Sequence, residues 1–141
     1  MKILIILMFF LYAAVVQAAT LDSEEAASKL VDQAMAKIGS GDLEGGLLLV
    51  KPYVAIPDAE FNVMLEQANL QMPLLQGRIG KSLSAEFINE RAVGRSLFQI
   101  VYLQKFERHA LRWRFLFYSA NGKWSLNAFN FDDKIQLLFG E

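Results

Sequence analysis

The single histidine, His109, sets a ceiling on acid–base chemistry near neutral pH. A Ser-His-Asp triad or a histidine metal cluster would have to be built on it alone. It falls with Ala110 between two strand-like runs, at a hairpin turn, where an imidazole meets water rather than a buried nucleophile. The chain has no cysteine, which excludes disulfides, thiolate zinc sites, iron–sulfur clusters and a thiol nucleophile. Asp132 and Asp133 could approach a divalent cation, yet adjacent side chains leave a strand in different directions and the further oxygen ligands that calcium needs are missing. Both are expected to be solvated acids. No glycine-rich phosphate loop, paired-histidine helix or nucleophile elbow occurs. The residues therefore predict no catalytic centre, no metal site and no cofactor.

Arg108, Arg112 and Arg114 with Trp113 and Phe115 have the composition of a basic-aromatic platform for nucleic acid. Strand alternation sends Trp113 and Phe115 to the face opposite Arg112 and Arg114, and the formal charge of −1 gives little attraction for phosphate, so no nucleic-acid partner is expected. Tyr102, Gln104, Trp113 and Asn130 are the ligand-binding candidates, because they place polar groups on an aromatic face as a small-molecule pocket does. The same groups are equally at home hydrogen-bonded inside an ordinary core. Glu86, Glu90 and Glu107 are the acids that could serve an isomerase or dehydratase as general base. Glu107 is the poorest of them, because Arg112 is expected across the hairpin and would lower its pKa.

These positions depend on the elements that carry them. Lys2, an apolar run from Ile3 to Val16, and Val16 and Ala18 before Ala19 have the three parts of a signal peptide in order. The apolar run is short of the roughly 20 residues of a membrane-spanning helix. Residues 1–18 are thus expected to be cleaved, leaving residues 19–141 as one exported domain, periplasmic or secreted, with no membrane anchor. Asp22 and Glu25 suggest a capping box before a helical stripe of Ala27, Leu30, Val31, Ala34 and Ile38. Asp42 opens a second, short helix that stops at Pro52, and its Gly45-Gly46 pair would allow close packing. A third stripe, Phe61, Leu65, Ala68, Met72, Leu75 and Ile79, contains Pro73, so a kink or an early end near Met72 is expected.

From Leu83 the period becomes strand-like, giving four segments at 83–91, 97–107, 111–119 and 124–131. Turns fall at Val93-Gly94-Arg95, His109-Ala110 and Asn121-Gly122. The fold class is therefore α+β: three N-terminal helices packed on an antiparallel β-meander of about four strands. Two-residue hairpin tips would set Phe106 opposite Trp113, Gln104 opposite Phe115, Phe117 opposite Leu126, Phe115 opposite Ala128 and Trp113 opposite Asn130. The face with Phe106, Trp113, Phe115, Phe117 and Leu126 should meet the helices. The other mixes Arg112, Arg114, Leu116 and Tyr118 with Val101, Leu103, Phe129 and Phe131, and is expected to be covered by Ile135 to Phe139 or by another subunit.

The element order, with Gly41-Asp42-Leu43, Arg78-Ile79-Gly80 and the run Phe106-Glu107-Arg108 through Leu111-Arg112-Trp113-Arg114-Phe115 to Phe129-Asn130-Phe131-Asp132, resembles small exported bacterial members of the nuclear transport factor 2-like superfamily, the cystatin-like α+β cone. The resemblance implies a curved sheet, a pocket between sheet and helices, and in many members a dimer through the sheet. It carries no catalytic signature. Three functional readings follow: a non-enzymatic exported binding module with a small apolar ligand or a protein partner, including a homodimer through the sheet; a pocket enzyme; and an inert structural subunit.

Overall fold

A computed structural model describes residues 18–140, so the signal peptide expected over residues 1–18 lies, but for Ala18, outside the described residues. The chain is α+β, with three helices in its N-terminal half followed by a four-stranded antiparallel sheet in the order β1-β2-β3-β4. The helices are α1 (Glu24–Gly39), α2 (Leu43–Val50) and α3 (Asp58–Ile79), with a 3-10 turn η1 (Lys51–Tyr53) between the last two. The strands are β1 (Ser82–Val93), β2 (Leu97–Phe106), β3 (Ala110–Ser119) and β4 (Trp124–Asp132), and a final 3-10 turn η2 spans Ile135–Phe139. Four strands in this order leave the sheet open, and it is not curled into the cone that the resemblance implied. Among the described residues no helix is long and apolar enough to cross a membrane.

The N-cap of α1 is Ser23, whose hydroxyl accepts from the Ala26 N–H, and not Asp22, whose carboxylate is drawn away to Lys123. Asp42 caps α2 as expected, through the Gly45 N–H at 2.9 Å. Gly46 lets α2 press on α1, since a Cβ there would lie 2.5 Å from Ile38 Cγ1. α3 does not end near Met72 but runs through Pro73 to Ile79. Its buried residues are Phe61, Leu65, Ala68 and Met72, so the stripe anchors the stretch before the proline while Leu70 and Leu74 face water.

The aromatic face of β2 and β3 forms the core with the helices, and Phe98, Trp113, Phe115, Phe117 and Leu126 are almost fully buried. Two registers differ from those the tips suggested. The β2–β3 turn is centred on Glu107-Arg108, two residues before the expected His109-Ala110, so Tyr102, not Phe106, lies opposite Trp113. The offset is four residues, an even number, and the facial assignment survives it. On β4 the expected pairing of Phe117 with Leu126 holds, but an irregularity between Leu116 and Phe117 then moves Phe129 opposite Phe115 and Phe131 opposite Trp113. Phe129 and Phe131 thereby join the core side, stacking on Phe115 and Trp113.

Candidate functional site

The four ligand-binding candidates do not stay together. The β4 irregularity puts Asn130 opposite Arg114, on the face away from the core, where its Oδ1 accepts from Arg114 Nε at 3.0 Å. Tyr102, Gln104 and Trp113 remain on the core face and are all buried. Trp113 Nε1 donates to Gln104 Oε1 at 2.9 Å, and Gln104 Nε2 donates to the Ile38 carbonyl at 3.1 Å and to Ser82 Oγ at 2.9 Å. Ser82 Oγ donates in turn to the Gly39 carbonyl at 2.8 Å. This chain of bonds satisfies carbonyls at the C-terminal end of α1, which has no further helical turn to receive them. Tyr102 Oη donates to Asp32 Oδ1, and burial together with that carboxylate pushes the phenol well above its ordinary pKa. Among the described residues no buried side-chain nitrogen or oxygen lacks a partner, so the cluster joins α1 to the sheet.

The acids are equally engaged, and on the surface. Glu107 does not meet Arg112; its Oε2 accepts from the Lys81 N–H at 2.9 Å, at the junction between α3 and β1. Glu86 pairs with Lys105 at 3.2 Å and Glu90 accepts from Ser28 Oγ at 2.8 Å. All three are exposed. Arg112, buried at 4% exposure, instead binds Asp132 through Nε at 3.2 Å and Nη2 at 2.8 Å, and Arg114 Nη2 reaches the same carboxylate at 3.2 Å. These bonds hold the Asp132 carboxyl below the usual carboxylate range, so it is not the solvated acid expected from sequence. Asp133 is exposed, and His109 is half-buried in the β2–β3 loop, where its carbonyl accepts from the Phe106 N–H. Among the described residues no three His, Cys, Asp or Glu side chains converge as metal ligands.

What the fold leaves available lies on the other side of the sheet and along one edge. η2 returns against β3, and Val101 and Arg112 are buried on that outer face. Toward the β1–β2 turn an open groove of about 340 Å³ is lined by Arg91, Val93, Leu97, Phe98, Gln99 and Leu116. β1 itself is an edge strand, mostly exposed, with Leu83, Phe87 and Val93 each more than half accessible. The opposite edge is covered at its start: Leu21 pairs with β4 at Trp124, and Val54 pairs with it at Leu126. The signal for the open edge was present in the charges of β1, since Glu86, Glu90 and Arg91 mark a strand that is not buried on both sides. The chain matches no protein-family model, no curated protein and no solved structure.

Proposed function

We propose that the chain is an exported, non-enzymatic binding module that engages a protein partner through the open side of its sheet, formed by the β1 edge and the groove beside it. The observation that carries this reading is the asymmetry of the edges, one covered over its first three residues by Leu21 and Val54 and the other, among the described residues, left open with Leu83, Phe87 and Val93 exposed. An open edge offers backbone donors and acceptors to an added strand, and an adjoining apolar groove offers places for alternate side chains. Export is supported by the composition of the leader. Kinship with the nuclear transport factor 2-like superfamily is supported by three helices preceding a four-stranded meander, and the open sheet is a departure from its cone. A pocket enzyme is the weaker reading, because Glu86, Glu90 and Glu107 are exposed on the surface and each is already bonded to a neighbour.

The test is a photoreactive side chain placed at Asn89 on β1, or at the exposed Glu66 on α3, in the full chain expressed in the cells that make it. Irradiation is expected to join a protein at position 89 and none at position 66. The absence of any protein adduct at position 89 would overturn the reading.

A further inference from the structure

We infer that the occupant of the open edge is a second copy of this chain, paired β1 to β1 in antiparallel fashion about a two-fold axis between Ile88 and Asn89. The inference rests on the reading of that edge as an interaction surface. Its ground is the placement of charge. Residues five apart on a regular strand lie on opposite faces, but β1 has an irregularity between Phe87 and Asn89 that takes up one residue. Glu86, opposite Leu103, and Arg91, opposite Gln99, therefore project from the same outer face.

An axis between Ile88 and Asn89 sets Glu86 opposite Arg91 of the partner subunit, and symmetry repeats the pair on the other side. The same register sets Phe87 opposite Glu90 and Ala85 opposite Ala92. All four of these stand on the core face, across β2 from Tyr102, Ile100, Gln104 and Phe98. Ser84 and Val93, both on the outer face, also meet. Every flanking pair thus agrees in face, as antiparallel neighbours must. Moving the pairing by two residues keeps the faces but sets Arg91 opposite Ser84 and Glu86 opposite Asn89, and the charges go unmatched.

The groups are free to make these contacts. Glu86 uses Oε2 for Lys105 and keeps about half its side chain in water. Arg91 is exposed and has no ion-pair partner among the described residues. Charges on an edge resist indiscriminate strand addition, and a self-complementary pattern resists every partner that lacks its mirror image. Pairing would also cover Phe87 and Val93, 51% and 61% exposed in the single chain.

Sedimentation equilibrium of the mature chain measures the association. The wild type is expected to dimerise, and Arg91→Glu or Glu86→Arg alone to weaken the dimer by about 10-fold or more, because each sets like charges opposite at both ends of the interface. The double reversal E86R/R91E should return the dimer to within about threefold of wild type by restoring both pairs. Because the chain has no cysteine, Asn89→Cys treated with a short bis-maleimide reports this edge alone and should give a covalent dimer, whereas Ala128→Cys on β4 should not. A double reversal as weak as the single ones overturns the register. A wild type that stays monomeric, with only a different protein joined by the photoreactive group at position 89, overturns self-pairing and leaves the edge as a binding surface. No adduct at that position overturns both.

Discussion

Along β4, Leu21 and Trp124 exchange backbone hydrogen bonds of 2.8 Å in both directions, and the Ala55 N–H reaches the Leu126 carbonyl at 3.1 Å. Along β1 no strand follows among the described residues, although β1 is the longest of the four. The segment before α1 and the segment after η1 thus cover the start of one edge, and no described segment lies along the other. The side chains follow the backbone. Trp124 and Leu126 are buried at the closed edge, whereas the open one alternates Phe87 and Val93 with Glu86, Glu90 and Arg91. An edge that only needed hiding has a local solution in the same molecule, and its absence at β1 is what argues for contact there.

The sharpest way to break this comparison is to remove methyl groups at each edge. Leu126→Ala, at a position with 0% exposure, should cost about 2–5 kcal/mol by opening a cavity in the core beside Phe117. Val93→Ala should change stability by no more than about 0.5 kcal/mol in dilute, monomeric protein. Urea unfolding monitored by circular dichroism measures both. Equal losses would show that β1 is packed as firmly as β4 and that the asymmetry of exposure has no energetic counterpart.

Between the edges stands Gln104, opposite Ala85 on β1 and bonded to Trp113 on β3. Gln104→Leu keeps the volume nearly constant but leaves the Trp113 indole N–H buried without its partner and takes one of two donors from the Ile38 carbonyl, which keeps the Gly41 N–H. The expected loss is about 1–3 kcal/mol, the cost of unsatisfied buried groups rather than of lost packing. Unfolding followed by Trp113 and Trp124 fluorescence reads it. A neutral outcome would mean that water enters between α1 and β1, which would place the loosely held side of the molecule deeper than the β1 edge.

The strands and two of their turns, at Gly94 and at Asn121-Gly122, are legible because their period and turn residues are local. The face carrying Trp113, Phe115 and Phe117 was legible for the same reason. Register was not, where distant residues decide it. The β2–β3 turn falls two residues earlier than the sequence suggests, where Glu107 and Arg108 are held by the α3–β1 junction: the Glu107 N–H donates to the Lys81 carbonyl and the Arg108 N–H to the Ile79 carbonyl. The β4 irregularity exchanges Asn130 for Phe129 and Phe131 against the core, a gain in aromatic stacking that strand alternation alone does not contain. Tyr102, Gln104 and Trp113 could be grouped from their spacing, yet what satisfies them, Asp32, Ser82 and the end of α1, comes from elsewhere in the chain. An open edge is less legible still, since it depends on which segments the rest of the chain brings alongside.

The smallest effects separate two acids whose carboxyls both lie below the usual range. Asp132 is lowered first by its hydrogen bond from Arg112, in a partly buried cluster on the outer face, and Asp22 by Lys123 in open water beside the closed edge. A depressed carboxylate stabilises the fold fully above its unfolded value, near 3.8, and the contribution fades as pH falls through the lower folded value. Asp132→Asn should therefore flatten the acid limb of the stability curve below about pH 4 as well as lower the plateau above it. Asp22→Asn should leave both almost unchanged, because water and salt screen a fully exposed pair. Unfolding midpoints taken across acid pH compare them directly. If Asp22→Asn matched Asp132→Asn, the closure of β4 would depend on the Asp22–Lys123 pair, and the backbone bonds of Leu21 would not be enough to hold that edge.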